Sequence, residues 1–111
     1  MSRSLERGEH GFAAPALVTV LTVPAGHKYE VVGISWQGDL THAQTAYIFV
    51  VTPAAGYVGR DQFNVVATTY AEYHGYQNWV MYEGDALAGW HAAAAGTAFM
   101  TFDYIDVDYS T

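Results

Sequence analysis

Trp79-Val80-Met81-Tyr82-Glu83-Gly84-Asp85-Ala86-Leu87 decides the fold class. An apolar run enters a Glu-Gly-Asp turn and leaves as a second apolar run, which is how strand, turn and strand are written in sequence. Leu21-Thr22-Val23-Pro24-Ala25-Gly26 repeats the device. Proline presets one dihedral there, and glycine tolerates the positive φ that a tight turn asks of it. Outward from these two turns, no window carries an apolar stripe of helical period. Ala92 to Ala95 favours helix by composition, but the run is too short to nucleate one and Gly96 ends it, so a loop or short turn is expected. Strands without helices must pack sheet on sheet. The chain therefore predicts an all-β, antiparallel β-sandwich of jelly-roll-like type, with about seven or eight strands and less than about 10% helix.

Met1 to Ala14 is polar and contains glycine, and it reads as an N-terminal arm ahead of a sandwich domain over residues 15–111. Leu17 to Val23 is apolar at both parities, which predicts burial on both sides. In Tyr29 to Gln37, the residues Val32, Ile34 and Trp36 share a parity, with Glu30 at the start of the same face. Gln37-Gly38-Asp39 is a turn signal. Gln44 to Thr52 places Ala46, Ile48 and Val50 on one face and Tyr47, Phe49 and Val51 on the other; one face meets the core and the other needs a cover. Pro53 to Asp61 reads as a loop, and Gln62 to Tyr73 as β-like. His74-Gly75 reads as a two-residue hairpin turn that sets Tyr73 against Tyr76 and Tyr70 against Trp79. The last strand is apolar at Ala98, Met100, Phe102 and Tyr104, then at Ile105, Val107 and Tyr109. A β-bulge near Tyr104-Ile105, or a strand that changes sheet, accounts for that parity break.

With 111 residues the chain makes one domain. Only 14% of its residues are charged while 51% are hydrophobic, against roughly 25% charged in an ordinary soluble domain. Too little charge to cover a monomer points to surface covered by a partner. Tyr and Trp, nine and three in number, suit such a contact because each joins apolar area to a polar handle. The net charge of −7, from 11 acids against 4 Lys and Arg, offers no basic stripe for nucleic acid. Two of the cations, Arg3 and Arg7, lie in the expected arm. No apolar run approaches the roughly 18–20 residues of a membrane span. The apolar stretch from Phe12 to Gly26 is broken by Pro15, Thr19, Thr22 and Pro24 and reads as the first strand rather than a leader.

Chemistry finds little footing in the sequence. His10, His27, His42, His74 and His91 show none of the usual metal-ligand spacings, and there is no cysteine. Asp103, Asp106 and Asp108 read as a solvated strand end rather than a calcium site. Ser2, Ser4, Ser35 and Ser110 lack a nucleophile-elbow context, and no glycine-rich phosphate loop occurs. Neither catalytic, cofactor nor metal residues are expected, so the chain reads as a non-enzyme. Trp36, Trp79 and Trp90 on a sandwich are the residue type of a sugar-stacking platform, but the parity Trp36 shares with Val32 and Ile34 favours core packing.

The stretch Leu21-Thr22-Val23-Pro24-Ala25-Gly26, followed by Tyr29-Glu30-Val31-Val32-Gly33-Ile34, resembles small virion proteins of tailed bacteriophages. Trp79 to Tyr82, Gly84-Asp85, Ala92 to Gly96 and Ala98 to Val107 continue the resemblance, which covers most of residues 15–109. Ala54 to Tyr76 departs from it. The resemblance implies a structural part of a phage particle: a capsid decoration (cement) protein stabilising the head from the capsid exterior, or alternatively a minor tail or head-fibre protein. A carbohydrate-binding module of similar fold is the other alternative. The expected partners are copies of the chain itself, as a trimer by analogy, and a major capsid protein; neither nucleic acid nor membrane is expected. The expected interface residues are Arg3, Arg7, Tyr47, Phe49, Tyr70, Tyr73, Tyr76 and Trp79.

Overall fold

The computed structural model describes residues 1–67, 71–92 and 96–110. Eight strands run through them: β1 (Ser2–Phe12), β2 (Ala16–Thr22), β3 (His27–Gln37), β4 (Gln44–Thr52), β5 (Gly56–Val65), β6 (Ala71–Met81), β7 (Ala86–His91) and β8 (Ala98–Asp108). They form two four-stranded antiparallel sheets, ordered β1-β8-β3-β6 and β2-β7-β4-β5. Only β4 and β5 join as a hairpin within one sheet. Every other connection crosses to the opposite layer, which makes the sandwich jelly-roll-like, as the turn pattern predicts. No helix occurs among the described residues.

The two turns that betray the fold in sequence touch each other. Pro24 C=O accepts from His27 N–H at 3.2 Å, with Gly26 at φ 80°, the positive dihedral this turn requires. Gly84 takes φ 87° in the turn between β6 and β7. Val23 N–H then donates to Asp85 C=O at 2.9 Å, and Gly84 N–H donates to Val23 C=O at 3.0 Å. The two crossovers are thereby stitched together at one end of the molecule.

The core lies between the layers. Trp36, Ile34, Met81 and Met100 come from one sheet, and Ile48, Phe63 and Leu87 from the other; all are fully buried. Gln44 is the polar exception. Its Oε1 accepts from Trp36 Nε1–H at 3.2 Å and its Nε2–H donates to Thr97 C=O at 2.8 Å, so a buried amide links both layers and the loop before β8.

Several expectations are corrected. Residues 2–12 are not an arm. They form β1, paired with β8 from Ser2↔Asp108 to Phe12↔Ala98, and Phe12 packs in the core. An edge strand buries little, so its sequence stays polar. β2 is likewise an edge strand, with Ala16, Leu17, Thr19 and Thr22 exposed, rather than one buried on both sides. Pro53 to Asp61 is not all loop, since β5 begins at Gly56. The β-like reading of Gln62 to Tyr73 also fails as one element, because β5 ends at Val65 and β6 starts at Ala71. His74-Gly75 is no turn: β6 runs straight through it, with His74 opposite Ile34 and Gly75 opposite Gly33, so Tyr73 and Tyr76 lie on one strand. The parity break of β8 needs no bulge in β8, which pairs with β1 without interruption. The irregularity sits in β3, where the register shifts between Val31 and Gly33. Tyr29, Val31, Ile34 and Trp36 consequently point inward and Val32 does not. Ala93 to Ala95 of the alanine run lie outside the described residues.

Candidate functional site

The register of the β2-β7-β4-β5 sheet lines up side chains in rows across its outer face. Leu17, Trp90, Tyr47 and Gln62 make one row; Thr19, Ala88, Phe49 and Gly59 make the next; Thr22, Ala86, Val51 and Tyr57 make the third. Thr45 and Asn64 extend the face at the far end. None of these side chains is charged. Ring centroids lie 5.4 Å apart for Tyr47 and Trp90, 6.5 Å for Phe49 and Trp90 and 5.9 Å for Phe49 and Tyr57, forming a continuous aromatic patch. Trp90 is 42% exposed and Tyr57 56%. An apolar centre ringed by amides and hydroxyls is the anatomy of a contact surface.

The opposite face of the sandwich carries ion pairs, beside the exposed Leu5 and Tyr73. Arg3 donates to both oxygens of Glu30 at 3.0 and 3.4 Å, and Arg7 to both oxygens of Asp103 at 2.6 and 3.1 Å. Lys28 Nζ lies 3.7 Å from Glu30. Arg3 and Arg7, expected on an arm that reaches a partner, are thus tied within their own sheet. Tyr73 lies on this face, exposed and resting over Gly33.

A polar cluster closes the seam where edge strands β5 and β6 meet. Asp61 Oδ2 accepts from His74 Nδ1–H at 2.6 Å and from Tyr76 O–H at 2.5 Å, while Glu72 Oε1 accepts from His74 Nε2–H at 2.6 Å. The His74 ring stacks on Phe63 with centroids 4.0 Å apart. Both ring nitrogens face carboxylates, and only the imidazolium can donate to both, because a neutral ring has one N–H. Burial opposes that charge, but the hydrogen bonds to Asp61 and Glu72 overcome it and raise the pKa above the usual histidine value. Burial likewise pushes the Asp61 carboxyl up, and the bonds from Tyr76 and His74 more than reverse it, leaving its pKa lowered. Burial, reinforced by the bond to Asp61, pushes the Tyr76 hydroxyl well above its usual value. Both ring nitrogens of His74 are engaged by carboxylates. The residue is a clasp between sheets.

Of the other expected interface residues, Tyr47 and Phe49 lie in the aromatic patch, Tyr76 is half-buried in the seam, and Trp79 is buried at 3% exposure. Tyr70 lies outside the described residues. Trp36 and Trp79 belong to the core, so the three tryptophans form no common platform; Trp90 alone is exposed. Among the described residues, no three His, Asp or Glu side chains converge as metal ligands. Asp103 pairs with Arg7, and Asp106 with His27 at 2.7 Å. Sequence reasoning missed Trp90 and Tyr57 as members of the patch, because membership depends on the β4–β7 and β4–β5 registers. It also missed the His74 clasp, whose Asp61 comes from the other sheet.

No protein-family model matches the chain, and no curated protein matches it in sequence. Solved structures resemble it in fold. A chain of the acid-stable capsid of Helicobacter pylori bacteriophage KHP30 superposes with a TM-score of 0.58 at 11% identity, over 98% of this chain and 95% of that one. PirA gives 0.57 at 13% identity, over 88% and 92%. A chain from the Bacillus endospore appendages, disulfide-linked pili, gives 0.54 at 12% identity, over 99% and 93%. Across nearly its whole length, then, the chain shares a β-sandwich fold that occurs in a phage capsid and in a pilus.

Proposed function

We propose that this protein is a non-catalytic structural subunit of a virion, of the capsid decoration (cement) type. It sits on the capsid exterior as an oligomer, with a trimer favoured by analogy, and docks on the major capsid protein through the outer face of β2-β7-β4-β5. The observation that carries this reading is the division of the surface. One face holds aromatic and uncharged side chains alone, and the other holds the ion pairs of Arg3 and Arg7. The scarcity of charge in the chain is therefore concentrated where a partner would cover it. Occurrence of the same fold in a phage capsid supports the setting.

Cryo-EM of particles carrying the protein tests it. Copies spread over the capsid lattice with the Trp90 face inward are expected, and Trp90→Ser is expected to reduce occupancy at least ten-fold while leaving the fold intact. Copies confined to the tail or to one vertex would instead support the minor tail or head-fibre alternative. A second reading rests on the exposed rings of Trp90 and Tyr57 beside the amides of Gln62 and Asn64: a stacking platform for a neutral glycan. A saturable change in tryptophan fluorescence with host glycan, lost in Trp90→Ala, would favour that reading over docking.

A further inference from the structure

The geometry points to a second site, independent of the docking face: we propose that the cleft between the sheets at the β5–β6 edge binds a carboxylate on a short apolar body. The cavity measures about 280 Å³. Val50 and Val58 wall it from one sheet and Trp79 and Val80 from the other, with the exposed Arg60 and Asn78 beside them.

Three observations converge there. Arg60 is the one Lys or Arg among the described residues with no carboxylate within ion-pair distance, whereas Arg3, Arg7 and Lys28 are all paired. In a chain with 11 acids and 4 such cations, a spare guanidinium is unexpected by count. It lies over the Trp79 ring, 4.8 Å from the centroid. Trp79 is 3% exposed, and its indole N–H has no hydrogen-bond partner, although buried donors are normally satisfied. Asn78, next in the chain, holds φ 59°, a left-handed conformation that residues other than glycine seldom adopt. It falls where β6 carries extra residues against β3, between the pairs Val31↔Trp79 and Gly33↔Gly75. Such irregularities gather beside binding sites.

The chemistry of the ligand follows from the walls. A guanidinium fork matches a carboxylate through two parallel N–H···O bonds. Valine and indole surfaces take a short aliphatic or aromatic body, and a cleft of about 280 Å³ suits a small one. Asp85 also borders the cavity, but its Oδ2 accepts from Tyr82 N–H at 2.9 Å in the β6–β7 turn. The carboxylate can come from a free small acid or from an acidic group of a neighbouring copy.

NMR of the indole N–H resonances of the intact protein tests this, with isovalerate, isovaleramide and isoamylamine as probes and Trp79→Phe to identify the Trp79 signal. Isovalerate is expected to shift that signal saturably, in the millimolar range set by so few ligand atoms. The amide should bind at least ten-fold more weakly. Arg60→Gln should abolish the effect, and Arg60→Lys, which keeps charge but not the fork, should weaken it several-fold. No shift with isovalerate overturns the proposal. So does an equal shift with isovaleramide, a stronger one with isoamylamine, or an unchanged one in Arg60→Gln. Should Arg60→Gln not fold, the contrast between acid, amide and amine on the wild-type protein decides alone. A shift that grows with protein concentration and is reversed by isovalerate assigns the carboxylate to a neighbouring copy; binding of isovalerate with no concentration dependence assigns it to a free acid.

Discussion

His74 Nδ1 lies 2.6 Å from Asp61 Oδ2, and that contact joins β6 of one sheet to β5 of the other. Among the described residues no backbone ladder crosses the seam, and side chains hold the sandwich shut there, with Glu72 and Tyr76 completing the set.

The clasp is expected to strengthen the fold in a defined pH window. His74 has its pKa raised from 6.5, so its contribution is fully present below about pH 6.5 and fades as pH rises through the raised value. Asp61 has its pKa lowered from 3.8, so its contribution is present above that and is lost as pH falls through the lowered value. Urea unfolding of wild type and His74→Gln across pH 3 to 9 checks this. The difference should be greatest on the plateau between the two titrations, about 1–2 kcal/mol for partly exposed charge-assisted bonds, and should shrink on either side.

Gln44→Ala is expected to cost about 1–3 kcal/mol, because it strands the Trp36 indole N–H in the interior and removes the bond that ties the Thr97 carbonyl of the loop before β8. Gln44→Glu keeps an acceptor for Trp36 but loses the donor for Thr97 and buries an acid, so it should also destabilise, and more so at high pH than at low. Chemical denaturation at pH 5 and pH 8 separates the two effects.

Deleting residues 1–12 is expected to leave an insoluble or unfolded chain, not a folded domain lacking its arm. The deletion strips the ladder from one side of β8 and removes Phe12, whose ring lies 5.0 Å from Trp36. Phe12→Ala alone should cost about 3–5 kcal/mol. Expression yield and circular dichroism of the deletion report the first, and thermal melts the second.

Two glycines covered by aromatic rings should respond differently to alanine. At Gly8 an added methyl meets the ring of Phe102, which is 3% exposed and fixed by the core, so Gly8→Ala should lose about 1–3 kcal/mol. At Gly33 it meets the far end of Tyr73, which is 59% exposed and free to swing away, so the loss should be under about 1 kcal/mol. Melting temperatures of the two variants rank them.

What could be read from the chain was whatever local chemistry dictates. β4 begins and ends where its alternating apolar residues do, at Gln44 and Thr52. The Pro24-Ala25-Gly26 and Glu83-Gly84-Asp85 turns need particular dihedrals, and their residues supply them. β1 was invisible because an edge strand contributes a single core side chain, Phe12, and leaves the rest, charged and uncharged alike, outside the core. Gly75 imitates a turn glycine, yet it stands opposite Gly33 within a ladder. The aromatic patch was half legible. Tyr47 and Phe49 advertise an outward apolar face by alternation, but only the pairing of β4 with β7 brings Trp90 to them.

The pairing of β1 with β8 also sets the order in which this molecule can be completed. Ser2 meets Asp108, and β8 lies in the interior of its sheet, with β1 on one side and β3 on the other. The strand synthesised last of the eight must therefore insert between two made long before it. At ordinary translation speeds of about 5–20 residues per second, β1 waits about 5–20 seconds for its only ladder partner. Through that interval both β1 and the flank of β3 present unpaired backbone, and their final closure is a long-range event of the slow kind. The charges along β1 then serve a second purpose: they keep a waiting strand from pairing with the wrong neighbour.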